Sequence, residues 1–87
     1  MVYTYLLKSL KDGSYYVGIS QNPKNRLIFH NSGDNLSTKG NAPWNLVYVK
    51  AHSSYREARK HEKWLKKKNK EYKKKLESFG GDLPRLG

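Results

Sequence analysis

The sequence contains no cysteine, so neither a disulfide framework nor a thiolate zinc site can support its fold. Long apolar runs are also missing, because nowhere do the about 18 apolar residues that a membrane-spanning helix needs follow one another. The N-terminal segment MVYTYLLKSLKDG has an apolar run too short, and a lysine too early, for a signal peptide. We therefore expect a cytoplasmic protein without a membrane span.

Acidic residues are scarce: seven Asp and Glu stand against 18 Lys and Arg, which gives a formal net charge of +11. So strong a positive charge predicts a polyanionic partner, and nucleic acid is favoured over anionic lipid. The alternative is a charged surface that only keeps the protein in solution. The 87 residues suffice for one domain with a small core, and a monomer is the default expectation.

The chain opens with two predicted β-strands. Residues 2–8 and 14–20 are rich in aromatic and branched apolar side chains, which are typical of strands. Asp12-Gly13 between them is a strong hairpin signal. If the hairpin loop has an even number of residues, antiparallel pairing sorts the side chains onto two faces. One face, a plausible core, carries Val2, Thr4, Leu6, Tyr15, Val17 and Ile19, and the other carries Tyr3, Tyr5, Leu7, Tyr16, Gly18 and Ser20.

A short helix and a third strand follow the hairpin. Asn22-Pro23 is typical of a helix start, and Asn31-Ser-Gly33 of its end. The polar residues 34–45 predict a loop, and the β-branched residues 46–52 predict a strand.

The second half of the chain is predicted to be helical. Ser53 or Ser54 can cap a helix that runs to about residue 68. The lysine-rich residues 67–78 form a further helix or an extension of this one, and residues 79–87 form a flexible tail. The predicted fold is α+β: a small three-stranded antiparallel sheet flanked by helices, in the order β-β-α-β-α-(α), within one domain over residues 1–78.

Glu62 is the most informative single residue, because it falls on the apolar stripe of the long helix. A buried acid is costly unless it is paired or bound to a metal. Two alternatives are level at this point: a salt bridge to one of the many basic residues, or coordination of a hard divalent cation such as Mg²⁺.

Four other residues have both a structural and a chemical interpretation. Arg26 is an exposed helix arginine or a bidentate phosphate clamp. His30, one turn later, is a helix cap, a histidine at the core edge or a proton-transfer group. Tyr5 and Tyr16 share the predicted face with the strand glycine; they are packing residues, or one of them activates water as a phenolate held near a cation.

Together, these residues resemble the motifs of the GIY-YIG endonuclease superfamily. The matching features are Tyr3-Thr4-Tyr5, Tyr16-Val17-Gly18, Arg26 ten residues after Tyr16, His30 and Glu62. The chain is most similar to the small stand-alone bacterial members related to the incision domain of the excision-repair nuclease. The resemblance covers roughly residues 2–68.

The resemblance implies a metal-dependent endonuclease that hydrolyses DNA phosphodiesters in DNA repair or processing, with structure-selective or weakly sequence-selective cleavage. It assigns Glu62 to Mg²⁺ or Mn²⁺, Tyr16 or Tyr5 to the attacking water, Arg26 to the phosphate, and His30 to supporting hydrogen bonds. It also predicts that a phosphate backbone and its metal approach the open backbone of the strand glycine. Further candidate contacts to nucleic acid are Gly18, Lys39, Lys66, Lys67 and Lys68.

Two other functions remain open from the sequence. One is a nucleic-acid-binding module that keeps the fold without catalysis, with Trp44 or Phe29 stacking on bases. The other is a small basic protein that docks on a ribosome or on another protein.

Overall fold

The computed structural model describes residues 1–33 and 36–83. Its centre is an antiparallel sheet of three strands, arranged in the order β2-β1-β3. Strand β1 spans Val2–Ser9, β2 spans Tyr15–Ser20 and β3 spans Trp44–His52. Because β1 is central, β2 and β3 are the two edge strands. The element order confirms the predicted α+β fold.

The β1–β2 hairpin has the even loop that the sequence prediction required. The Ser9 amide donates to the Ser14 carbonyl at 2.8 Å, and the Gly13 amide donates to the Ser9 carbonyl at 3.0 Å. Gly13 takes a left-handed backbone conformation with φ of 77°. In the resulting register Tyr5 pairs with Gly18 and Leu7 pairs with Tyr16. The predicted division of the two faces is therefore confirmed.

Among the described residues four helices flank the sheet. They are α1 (Pro23–Asn31), α2 (Leu36–Lys39), α3 (Tyr55–Lys66) and α4 (Lys70–Phe79). A side chain caps the start of α1, of α3 and of α4. Asn22 caps α1 by accepting from the Asn25 amide at 3.2 Å, and Ser54 caps α3 by accepting from the Glu57 amide at 3.3 Å. Asn69 caps α4 in the same way. The lysine-rich segment is therefore a separate helix, and α3 ends at Lys66, slightly before the predicted residue 68.

The predicted loop of residues 34–45 differs from the structure at two places. A short helix, α2, lies inside it, and β3 begins two residues earlier than predicted, at Trp44. Trp44 joins the sheet because it pairs with Ser9. Its backbone amide and carbonyl also bond to the side chain of Asn31, at the end of α1. Residues 34 and 35 lie outside the described residues.

Apolar clusters cover both faces of the sheet. The face of Thr4 packs against α3 and α4, and the Thr4 hydroxyl donates to the Ala58 carbonyl at 2.9 Å. The opposite face packs against α1, through Leu27. The first cluster consists of Leu6, Val17, Val47, Tyr48 and Leu65, and the second of Tyr5, Leu7, Trp44 and Val49.

The segment after α4 is hydrogen-bonded to β3, in a part of the chain where the sequence predicted a flexible tail from residue 79. Phe79 completes α4. The Val49 amide donates to the Gly80 carbonyl at 3.4 Å, and the Asp82 amide donates to the Val49 carbonyl at 2.8 Å. These bonds satisfy backbone groups of an edge strand that would otherwise lack a partner. Residues 84–87 lie outside the described residues.

No helix within residues 1–33 and 36–83 is both long and apolar enough to cross a membrane.

Candidate active site

Tyr5 is the centre of the candidate site, and its ring explains the glycine in β2. The side chain is 1% exposed. A Cβ atom added at Gly18 would lie 2.5 Å from both Cζ and the hydroxyl oxygen of Tyr5. Such distances are far below van der Waals contact, so only glycine leaves room for this ring. The family resemblance predicts that a phosphate backbone approaches this glycine. The structure gives a reason for the glycine within the protein, which is the ring of Tyr5.

The Tyr5 hydroxyl begins a buried chain of hydrogen bonds. It lies 2.9 Å from Nε2 of His30, and Nδ1 of His30 lies 2.9 Å from the Thr38 hydroxyl. His30 and Thr38 are both 0% exposed. Burial lowers the pKa of His30, and the charge of Arg26 lowers it further. Burial raises the pKa of Tyr5 above its usual value. At neutral pH the chain therefore joins a protonated phenol to a neutral imidazole.

Tyr16 packs beside this chain but remains accessible. Its ring centre lies 4.8 Å from that of His30 and 6.5 Å from that of Tyr5. The edge of Trp44 contacts it from another side, at 6.2 Å between ring centres. The residue is half-buried, and among the described residues its hydroxyl has no hydrogen-bonding partner. Tyr16 is therefore the tyrosine whose hydroxyl can reach a substrate.

Arg26 brings a positive charge to the same place. It lies on α1, one turn before His30, and its Cζ atom stands 4.6 Å from the ring centre of Phe29. This contact fixes the side chain by a cation–π interaction. The charge of Arg26 also acts against the burial effect on the pKa of Tyr5. The guanidinium is thus close to the Tyr5 hydroxyl.

Glu62 approaches from the helix layer on the other face of the sheet. Its side chain is buried on α3, as the sequence predicted, with 8% of the residue exposed. Its negative charge contributes to the raised pKa of Tyr5. The ring of Tyr5 lies over Gly18 of β2, which is an edge strand, so groups from the two faces can meet beyond that edge. Glu62 and Arg26 therefore stand on opposite helix layers on either side of the sheet.

Two cations hold the Glu62 carboxylate. Arg59 Nε lies 3.7 Å from Oε1, and Lys66 Nζ lies 3.5 Å from Oε2. Both partners are more than half exposed, so water screens these ion pairs and each stabilises the fold only weakly. The salt bridge that the sequence left open as an alternative is present, and it leaves lone pairs of both carboxylate oxygens free for a further ligand.

The lysines proposed as contacts to nucleic acid have different surroundings. Lys66 is beside Glu62, and Lys67 is exposed at the end of α3. Lys68 points to another side, where its Nζ lies 4.9 Å from the ring centre of Trp64 and 5.5 Å from that of Tyr72. Lys39 is exposed at the end of α2. Among the contacts between described residues, the ion pair of Lys66 with Glu62 is the one that joins a lysine of this set to the candidate site.

Two residues of the site were missed in the sequence. Thr38 lies in a stretch of polar residues that predicts a loop, and nothing in its local pattern indicates that a short helix places it against His30. Arg59 could have been found, because it lies three residues before Glu62 and such neighbours meet on one helix face.

The donor set limits the kind of metal that this site can hold. Within residues 1–33 and 36–83 no group of three or more His, Cys, Asp or Glu side chains surrounds a common point. A closed structural metal site of protein ligands is therefore absent from this part of the chain. One carboxylate does fit Mg²⁺, which takes one or two carboxylates and completes its shell with water and substrate phosphate.

The model of the GIY-YIG catalytic domain matches residues 1–76 of the chain. Related sequences are the UPF0213 protein of Streptococcus pneumoniae, serotype 4, 36% identical over 92% of this chain and 81% of its own length, and that of Clostridium perfringens, 38% identical over 87% and 82%. The UPF0213 protein of Staphylococcus saprophyticus is 38% identical over 90% of this chain and 95% of its own length. No solved structure gives a significant match.

The chain belongs to the GIY-YIG family. This confirms the resemblance read from the two tyrosine motifs, Arg26, His30 and Glu62. Membership implies a nuclease activity, with nucleic acid as the substrate.

Proposed function

We propose that the protein is a divalent-metal-dependent endonuclease that hydrolyses DNA phosphodiester bonds, in DNA repair or processing. The observation that carries the proposal is the cluster that the rings of Tyr5, Tyr16 and His30 form on one face of the sheet. Arg26 lies one turn before His30 on α1, and the carboxylate of Glu62 is buried on α3. A phenol, a guanidinium and a carboxylate around one edge of the sheet are the groups that phosphodiester hydrolysis requires. A domain of this size has little surface for reading bases, so cleavage is structure-selective or weakly sequence-selective.

The two tyrosines have different tasks in this mechanism. Tyr16 orients the attacking water by a hydrogen bond, because the residue is only half-buried and its hydroxyl is unpaired among the described residues. Tyr5 is a positioning residue, since its buried hydroxyl is bonded to His30 and keeps its proton. The bond from His30 to Thr38 fixes the imidazole in turn. The buried chain thus holds the ring of His30 against that of Tyr16.

Arg26 binds the phosphate. Its planar guanidinium donates two hydrogen bonds to phosphate oxygens and stabilises the charge that develops on them in the transition state. The contact with Phe29 reduces the freedom of the side chain before substrate arrives. Arg26 is therefore held ready for an anion.

Glu62 is the residue that would hold the metal. Mg²⁺ or Mn²⁺ bound there would neutralise charge on the scissile phosphate and promote ionisation of the attacking water. Arg59 and Lys66 hold the carboxylate in one orientation from the sides. Both are exposed and can turn toward a phosphate when the substrate binds.

The same two ion pairs support a second candidate function. If Arg59 and Lys66 neutralise Glu62 permanently, the carboxylate only secures α3 and the protein binds nucleic acid without cleaving it. This alternative requires neither a metal nor the accessible Tyr16.

A nicking assay separates these two functions. Purified protein is incubated with supercoiled plasmid in Mg²⁺, in Mn²⁺ and in EDTA, beside Arg26→Ala. We expect nicking in the presence of metal, no nicking in EDTA, and a loss of about 100-fold or more in Arg26→Ala. Lys24→Ala is the matched control, because Lys24 is an exposed cation on the same helix, and it should cleave like the wild type. Binding of the plasmid without cleavage in either metal would instead establish the non-catalytic function.

A further inference from the structure

The outer face of α3 carries a stripe of cations beside Glu62. Its members recur three or four residues apart, so they lie on one side of the helix. All of them are exposed, and four of them line an open furrow of about 580 Å³ together with Tyr55. The cationic stripe consists of Arg56, Arg59, Lys60, Lys63 and Lys66 of α3 and of Lys67, the capping residue that follows the helix.

Most of this charge is not neutralised within the described part of the chain. Arg59 and Lys66 pair with Glu62. The other four members have no acidic partner within 4.0 Å among residues 1–33 and 36–83. Like charges at this spacing repel each other and destabilise a helix. The stripe therefore costs stability in the free protein, and a polyanion bound along it would remove that repulsion.

We propose that the cationic stripe of α3 binds the phosphate backbone of one nucleic-acid strand and leads that strand to Glu62. The inference rests on the proposed function, because it supplies the path of the substrate to that site. From Arg56 to Lys67 the helix rises about 16 Å. That length matches about five phosphates on one strand of B-DNA. The ion pairs of Arg59 and Lys66 with Glu62 put the stripe and the candidate metal ligand side by side.

Charge and composition favour nucleic acid over a membrane surface as the occupant. A helix that lies on a bilayer buries a broad apolar face beside its basic residues. Among the described residues that line the furrow, Tyr55 is the one large apolar side chain, and it is 58% exposed. A single tyrosine at the end of a basic stripe is suited to stacking on a base.

The test measures binding without cleavage. A fluorescein-labelled DNA duplex is titrated with the protein in EDTA, and the anisotropy is followed over a series of KCl concentrations. The variant Arg56→Gln/Lys60→Gln/Lys63→Gln leaves the partners of Glu62 in place. The matched control is Lys70→Gln/Lys74→Gln/Lys75→Gln, which removes the same charge from exposed positions of α4.

The slope of log K against log salt falls by about 0.9 for each phosphate that the protein no longer neutralises. We therefore expect the α3 variant to lower the slope by about 2–3 and the α4 variant to lower it by less than about 1. The single variant Lys63→Gln should lower it by about 0.9, which guards against a misfolded triple variant. Equal effects of the two triple variants, or a wild-type slope in the α3 variant, would overturn the proposal. So would an α3 variant that no longer binds anionic phospholipid vesicles but still binds DNA like the wild type.

Failure of this inference is distinguishable from failure of the proposed function. If the wild type nicks plasmid and the α3 variant binds DNA like the wild type, the path along α3 is wrong and the nuclease assignment stands. If the stripe carries DNA binding but the wild type cleaves nothing in Mg²⁺ or Mn²⁺, the nuclease assignment fails and the path along α3 stands.

Discussion

Replacing Gly18 with alanine tests the packing at the centre of the site. In an ordinary strand position this change would stabilise the protein by roughly 0.5–1 kcal/mol, because alanine loses less backbone entropy than glycine. Here the new Cβ would lie 2.5 Å from two atoms of the Tyr5 side chain. The ring is buried and cannot move aside freely. Overpacking of this kind costs about 1–3 kcal/mol, so the sign of the effect reverses.

Urea unfolding followed by circular dichroism measures this change in the free energy of unfolding. A loss of about 2 kcal/mol corresponds to a fall in the melting temperature of about 8–16 °C for a domain of this size. Gly40 provides the matched control, because a Cβ there meets nothing within 4 Å, and Gly40→Ala should leave stability nearly unchanged. A Gly18→Ala protein as stable as the wild type would refute the argument, as would an equal loss in a Tyr5→Leu background.

Two further predictions concern the tyrosines and the histidines. Tyr5→Phe leaves a buried nitrogen of His30 without its partner and should lower the free energy of unfolding by about 1–3 kcal/mol. Tyr16→Phe should lower it by less than about 0.5 kcal/mol and yet abolish nicking. Equal losses of stability in the two variants would contradict the division of roles. Burial lowers the pKa of His52 and of His61, so the folded protein binds their protons less readily than the unfolded chain does. The contribution of the two neutral histidines to the free energy of unfolding is therefore complete above a pH of about 6.5 and is lost as the pH falls through the lowered pKa values. Urea midpoints at pH 7.5 and pH 5 measure this, and His52→Gln/His61→Gln should weaken the dependence.

Local rules were sufficient to predict the elements and the faces of the first hairpin. A turn at Asp12-Gly13 with an even loop puts Tyr5 and Tyr16 on one face, and the register confirms this. Asn22 caps the helix that the sequence assigned to it, and Ser54, one of the two candidate serines, caps α3. These features depend on neighbours in the sequence, so a single sequence contains them.

The contacts that complete the site depend on residues far apart in the chain. Thr38 reaches His30 because α2 packs against α1, and no local pattern encodes that contact. The role of Gly18 required the position of the Tyr5 ring on the neighbouring strand. Asp82 pairs with β3 because an edge strand has unpaired backbone groups, whereas its own Gly-rich surroundings predict a flexible tail.

The carboxylate of Glu62 stands at the centre of the proposed reaction, and its removal tests that claim most directly. Glu62→Gln keeps the size of the side chain and removes its charge, and Glu57→Gln makes the same change at an exposed position of α3. Nicking of supercoiled plasmid in Mg²⁺ is compared for the two variants after circular dichroism has verified their folding. We predict that Glu62→Gln loses about 100-fold or more of the activity and that Glu57→Gln retains it. Equal activity in Glu62→Gln and the wild type would contradict the claim.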